Sequence, residues 1–384
     1  VVYDRLEQLV EDRFASVAMK KFDNSHFDSL PWADEGTRFR HPRRSGKGRG
    51  EGIKRLVWLF SVAVIIFCPC ALPAAGNLPI RITQSTVGPD ALPYWIAQDK
   101  GFFKKYGIDS EIIYVRSGSN QVAALVTGNA QFANLGGAPV IAAASRAAGL
   151  KFIAMTRQDL ERHVVVRPEI KDAQGLRGKN VGVTNLGGTS WLVAMMGLEY
   201  LKLNPVRDQI GFRALGNYPV LVQAIETGNI DALVVDRIFS RQLKQKGFRV
   251  LAEFHPANAA GVVVTSKYLD ENMAAAENVL KGIIDGQAFL VNPTNKPAVL
   301  KMLRDRLKIS DPLLVESGYE DLTKEYKREP YPTVEGLRVF QRLMKQQSPE
   351  VAQVKVEELV DERVVRRLDS SGFIAQAYDY TTKR

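Results

Sequence analysis

Along most of the chain, short β-branched runs give way to stretches whose apolar residues recur at three- and four-residue spacing. Both periods meet in the segment KNVGVTNLGGTSWLVAMM, residues 179–196. Val181, Gly182, Val183 and Thr184 predict a strand, and Trp191, Leu192, Met195 and Met196 fall at helical spacing. Strand hands over to helix at Gly187-Gly188-Thr189-Ser190. The glycines let backbone come close to whatever lies above the turn, and Thr189 or Ser190 is expected to cap the first N–H groups of the helix. The partial positive charge of a helix N-terminus suits an oxyanion or a polar ligand there. Alone, such a turn is more often architecture than site.

The same pattern also stands earlier in the chain. Residues 80–86 predict a strand ending in the polar turn Ser85-Thr86, followed after Pro93 by the helical YWIAQDKGFFKKYG. Residues 111–116 predict a strand, Ser117-Gly118-Ser119-Asn120 a cap, and QVAALVTGN a helix. Beyond the central segment come a strand over 210–215, the turn Gly216-Asn217-Tyr218 and the helix VLVQAIETGN. Thr127-Gly128-Asn129 and Thr227-Gly228-Asn229 close the two matching helices, with Gly at the left-handed position past each end. Two units of one pattern predict two lobes of similar build. The first continues through the strand 132–135, the turn Gly136-Gly137, a helix opened by Pro139 and the strand KFIAMTR. HVVVR is expected to make the first crossing between lobes. Residues 164–262 form the second lobe, including the strands 232–236 and FRVLAEF, and 261–265 carry the chain back. From residue 270 the text is helical, and this tail is expected to pack on lobe one. Alternating strands and helices call for largely parallel sheets with helices on both faces. Ligands of such sheets sit beyond the carboxyl ends of the strands, where each of these turns lies.

Residues 1–51 lack a sustained apolar period and drift into the basic RFRHPRRSGKGRG. They read as an unstructured extension or an over-extended reading frame, and lie outside the fold. Residues 52–76 combine Lys54 and Arg55, the apolar LVWLFSVAVIIF and the small residues before Asn77, the pattern of a secretory signal peptide cleaved near Asn77. The apolar run is shorter than the roughly twenty residues of a membrane span, so a retained anchor is the lesser alternative. Cys68 and Cys70 follow Phe67 and Pro69, unlike the small residues of a lipidation site. They are the only cysteines, so the exported part must be held by its core. The chain has 52 basic and 42 acidic residues, a net charge of +10. These are scattered, which argues for a general attraction to anions and against a nucleic-acid partner.

PYWIAQDKGFFKKYGID, GSNQVAALVTGNAQFA, GLRGKNVGV followed by GGTS, and AIETGNIDA together resemble the nitrate/sulfonate/taurine-type family of ABC-importer substrate-binding proteins, which also includes binders of thiamine-pyrimidine precursors. The resemblance implies an α/β type II periplasmic-binding fold. Two α/β lobes would be joined by two crossover strands, with a helical C-terminal segment packed on lobe one. It implies a periplasmic or secreted protein, a monomer, that closes over a small ligand and passes it to a membrane permease with its ATPase, using no cofactor. Carried onto this chain, the family's cleft turns are Ser85, Thr86, Tyr94 and Trp95; Ser117, Gly118, Ser119 and Asn120; Gly136 and Gly137; and Gly188, Thr189 and Ser190. Asn217, Tyr218 and Asp236 extend the set by strand-end position. Trp95 has a core reading beside its cleft reading, and Tyr94 is the better aromatic wall. Asp236 has a capping alternative. Arg116, Arg157 and Arg213 read as solvated charges and stay outside the site.

An enzyme would need chemistry that is hard to find here. His163 and His255 lack metal-ligand spacing, and there is no G-x-S-x-G elbow, phosphate loop or cysteine nucleophile in the exported part. Relatives that make the thiamine pyrimidine use a cysteine-rich motif, which this chain lacks. The reading is a solute binder for a small polar or anionic molecule. The alternatives are a pyrimidine-biosynthesis enzyme on the same fold and a ligand-sensing module.

Overall fold

The computed structural model describes residues 76–85, 87–157, 160–257 and 260–379. The expected extension, all of the signal segment but Gly76, and Thr86 lie outside the described residues. The first lobe opens with β1 (Leu78–Gln84), α1 (Leu92–Asp99), α2 (Phe102–Lys105) and β2 (Ile108–Tyr114). The single helix predicted between these strands is broken at Lys100–Gly101 into two. Next come α3 (Gly118–Val126), β3 (Phe132–Gly136), α4 (Gly137–Ala144) and β4 (Leu150–Ala154). The second lobe runs through β5 (Arg162–Val166), β6 (Asn180–Val183), α5 (Thr189–Tyr200), β7 (Gly211–Ala214), α6 (Tyr218–Glu226), β8 (Ala232–Asp236), α7 (Arg237–Gln245) and β9 (Arg249–Phe254). The chain then returns as β10 (Ala260–Thr265) and finishes in α8 (Ser266–Glu271), α9 (Met273–Val291), α10 (Lys296–Leu307), α11 (Pro312–Glu325), α12 (Glu335–Met344), α13 (Arg363–Ser370) and α14 (Phe373–Ala377).

The first sheet has the order β2-β1-β3-β10-β4 and the second β7-β6-β8-β5-β9. Each is parallel except for one strand, β10 or β5, which runs antiparallel to both neighbours. The two sheets therefore share one topology, each taking its antiparallel strand from the segment that has just crossed over. The chain leaves the first sheet at Ala154 and enters the second at Arg162, then leaves the second at Phe254 and re-enters the first at Ala260, ahead of the expected lobe boundaries. HVVVR is not a connector: β5 is buried along its whole length and pairs on both edges, with Val164-Val165-Val166 as its apolar run and Arg162 and His163 buried at its start. The repeated T-G-N ends behave as predicted, with Gly128 at φ +74° and Gly228 at φ +75° after α3 and α6.

The tail does more than cover lobe one. α9 packs on α1 and α2, and α13 on α9, as expected, but α11 packs on α7 of the second lobe and α12 touches both α4 and α5. α12 places Leu337, Phe340, Leu343 and Met344 on one face, in one apolar cluster with Val140 and Ile141 of α4 and Trp191, Leu192 and Met195 of α5. α5 is apolar around most of its circumference, so its sheet cannot cover it alone and a second helix must lie over it. Leu337 is fully buried in this seam. Leu337→Ala is therefore expected to lower unfolding free energy by about 2–5 kcal/mol in denaturant titration. A loss below about 1 kcal/mol would mean that α12 does not join the lobes.

Candidate functional site

Four helix starts point at the space between the lobes, and they differ in how their first N–H groups are satisfied. At α3 the Ser117 hydroxyl accepts from the Asn120 N–H at 3.2 Å, and at α6 the Asn217 side chain accepts from the Val220 N–H at 3.2 Å. α4 starts from Gly136 and α5 from Gly188, and neither has a side-chain cap. Thr189 and Ser190 do not cap α5 as predicted. Ser190 Oγ is drawn back into the preceding strand end, where it accepts from the Thr184 N–H at 3.0 Å and lies 2.6 Å from Thr184 Oγ1. Thr189 Oγ1 is buried with no hydrogen-bond partner among the described residues. The two uncapped starts face each other across the lobes: a methyl group added to Gly136 would lie 2.6 Å from Thr189 Cβ. Tyr218 makes a second contact between lobes, since a Cβ on Gly88 would sit 3.2 Å from its ring. The lobes are thus closed on each other.

Between them lies a partly open cavity of about 80 Å³. That admits a few waters or one small headgroup, well short of the roughly 300 Å³ or more of a drug-sized pocket. Of the residues the sequence pointed to, Ser85, Gly118, Gly136, Gly188, Thr189, Ser190 and Tyr218 line it. The others do not. Ser117 and Asn217 are occupied as caps, Ser119 and Asn120 are exposed, and Gly137 is buried as the first residue of α4. Tyr94 and Trp95 are both core residues: neither ring faces outward, because α1 is covered by α9 while Arg306 lies 5.3 Å from the Trp95 ring. Tyr218 stacks on Phe239, and burial pushes its phenol up to about 12, so it stays a neutral hydroxyl.

Asp236 is neither a cavity residue nor a cap. Its Oδ1 accepts from Arg157 Nη2 at 2.7 Å and from Arg162 Nη1 at 2.8 Å. Arg157, set aside in the sequence as a solvated charge, is the most deeply buried cation of this network, 2% exposed. It also donates to Asp90 Oδ1 at 2.7 Å and pairs with Glu325 of α11. It sits in the first crossing, where carboxylates of both lobes and of the tail reach it. Burial pushes Asp236 up, but the two guanidiniums outweigh it and hold the carboxyl below its ordinary value. Burial and the charge of Asp236 leave Glu325 above its own. Asp90 and Arg162 extend this network to the cavity wall. Both escaped the sequence reading, as did Asn134, Thr184, Asn185 and Phe340, which also line it. The available signal was charge at strand ends: Arg162 opens an apolar strand, Asp236 closes one, and β5 and β8 pair these two directly.

Glu161, His163 and Glu253 come within 4.8 Å of one another in the second lobe, away from the cavity. Both ring nitrogens of His163 are engaged, Nδ1 with Ser240 Oγ at 2.8 Å and Nε2 with Glu161 at 2.7 Å. Glu161 also pairs with Arg237, and burial holds His163 toward its neutral form. The cluster reads as a satisfied hydrogen-bond network.

The model of the ABC-transporter phosphonate periplasmic substrate-binding proteins matches residues 102–301 of the chain. The chain belongs to this family. The putative binding protein YtlA of Bacillus subtilis is 21% identical over 332 residues, covering 82% of this chain and 98% of its own length. The taurine-binding periplasmic protein of Escherichia coli is 25% identical, over 53% of this chain and 65% of that one. In fold, the periplasmic nitrate-binding protein NrtA of Synechocystis superimposes with a TM-score of 0.61 at 16% identity, over 79% of this chain and 91% of that one. The resemblance carried by the sequence motifs therefore holds, and this binding protein has the two-lobed α/β architecture it implied.

Two outcomes follow for the binding protein. Asp236→Asn leaves two buried guanidiniums short of a partner and is expected to cost about 3–5 kcal/mol in denaturant titration. Because the folded carboxyl lies below its ordinary value of 3.8, that contribution is present above this pH and lost as pH falls below it. A loss under about 1 kcal/mol would mean that water replaces the pair. Gly136→Ala is expected to hold the lobes apart, seen as a larger radius of gyration in small-angle scattering with unchanged far-ultraviolet dichroism. An unchanged radius would show that α5 yields instead.

Proposed function

We propose that the protein captures a small solute bearing an oxyanion between its two lobes and presents it to the membrane permease of an ABC importer. The observation that carries this reading is the pair of uncapped helix starts, at Gly136 and Gly188, meeting across a small cavity that Arg162 also borders. First-turn N–H groups and the helix dipole favour negative charge, and a guanidinium adds donors in a fixed fork. Thr189 supplies a hydroxyl from one lobe and Ser85 one from the other, so a solute touching both would favour the closed form. Gly118, Gly188, Ser190 and Tyr218 complete the wall that would hold it. Relatives named for taurine and nitrate support an oxyanion as the shared feature of the ligand.

The protein acts in this reading as a binder and a monomer on the outer side of the cytoplasmic membrane. Among the described residues no helix is long and apolar enough to cross a membrane.

Thermal melts and calorimetry of the purified full chain against methanesulfonate, nitrate, methylphosphonate, bicarbonate and an aminopyrimidine test the reading. One oxyanion is expected to bind one-to-one and to stabilise the fold by about 2.7 kcal/mol at a hundredfold excess over its Kd. Thr189→Ala is expected to weaken that binding at least tenfold with little change in the ligand-free melting temperature. Silence to every anion, or consumption of a bound compound, would contradict it.

A further inference from the structure

β4 and β9 hold equivalent positions in the two sheets, each at an edge beside the antiparallel strand. Even an irregularity repeats: β10 skips Ile153 of β4 and β5 skips Leu251 of β9, so a bulge falls at the same point of each edge. Aligning the bulges lays Lys151-Phe152-Ile153-Ala154 on Arg249-Val250-Leu251-Ala252, two stretches of one pattern. In the first lobe the chain's own tail closes this edge. Val360 bridges to Phe152 in parallel, the Asp361 N–H donates to the Phe152 carbonyl at 2.9 Å, and the Met155 N–H donates to the Pro330 carbonyl at 2.9 Å. The Lys151 side chain donates to the Glu358 carbonyl of the same tail segment.

In the second lobe the equivalent edge has no such cover among the described residues. β9 pairs with β5, and its main chain has no partner on the outer side. Unpaired N–H and C=O groups along a strand edge are a template for another strand. A shallow groove of about 500 Å³ runs there along residues 248–253, flanked by Lys171 and Lys244. Lys171, Lys244 and Arg249 are exposed. Arg249 donates to the Pro168 carbonyl at 3.0 Å, and among the described residues no carboxylate pairs with any of the three cations. The acid of the groove, Glu253, stands beyond the bulge.

We propose that the outer edge of β9 docks an extended acidic and apolar segment of a partner polypeptide, paired in parallel as the tail pairs with β4. The chemistry of the occupant follows from that internal template. Residues 356–361, VEELVD, set Glu357, Glu358 and Asp361 among Val356, Leu359 and Val360, and they lie beside a single lysine of β4. The β9 groove offers three cations and the half-buried Val250 and Leu251. Main-chain bonds would supply affinity, while charge and the apolar positions would select the sequence. No residue of this groove lines the cavity between the lobes, so docking and solute capture use separate surfaces.

The probe is a fluorescein-labelled peptide of residues 354–361, VKVEELVD, added to the full chain and followed by anisotropy; β4 is already closed in the folded protein. Saturable binding is expected, weakening as salt rises. Lys244→Glu with Arg249→Glu, both at exposed positions, is expected to weaken it about tenfold at an unchanged melting temperature. A peptide N-methylated at alternate residues keeps its side chains, loses donors to the edge and is expected not to bind. Absence of binding to the wild type, equal binding by the double variant, or equal binding of the N-methylated peptide would overturn the proposal. A concentration-dependent dimer broken by Arg249→Glu would assign the edge to a second copy and overturn it as well.

Discussion

A helix that starts inside a protein leaves N–H groups without partners, and the structure must supply an acceptor or keep the end open to one. Here the constraint is met in two ways. At α3 and α6 the chain uses Ser117 and Asn217, and those ends are closed. At α4 and α5 it uses glycine, while the nearby hydroxyl of Ser190 is tied to Thr184 and withheld from capping. The open ends are the ones that meet. Gly136 allows the approach because a side chain there would strike Thr189. In the proposed reading, what distinguishes a binding turn from an architectural one is therefore which helix start has been left without its own acceptor.

The closed arrangement has its own energetic logic. Arg157 is too deeply buried to be tolerated unpaired, and its partners come from three places: Asp90 of lobe one, Asp236 of lobe two and Glu325 of the tail. Pairing that one guanidinium brings the three parts together at the crossing. α12 works at the far side of the cleft, where its apolar face lies over α4 and α5 at once and sends Phe340 to the cavity wall. The uncapped starts are held between a charged hinge and an apolar strap, so the site is set by contacts that lie mostly outside it.

Much of the fold was legible in the sequence, because alternating short β-branched runs and helical periods leave few topologies, and because the repeated T-G-N ends mark equivalent helices. The family resemblance put Gly118, Gly136, Gly188, Thr189 and Ser190 at the cleft, strand-end position added Tyr218, and all six line the cavity. What could not be read was which turn residues were already used. Ser117 and Asn217 look like ligand contacts in sequence and are caps in space, a matter of side-chain direction that spacing does not encode. Tyr94 and Trp95 adjoin on a helix, so one was expected to face outward, yet α9 and Arg306 cover both sides of that helix. Arg157 was set aside and Arg162 passed over for another reason: the value of a charge depends on partners far along the chain, here at 90, 236 and 325.

The most direct test of the central claim is an amide NMR titration of isotopically labelled protein with methanesulfonate. If an oxyanion sits between the two uncapped helix starts, the largest downfield amide shifts fall on Gly137 and Ala138 of α4 and on Thr189, Ser190 and Trp191 of α5. The amides of Ser119, Asn120 and Val220, at the capped starts, stay nearly unmoved. Shifts centred on α3 and α6, or scattered over the surface, would contradict the account.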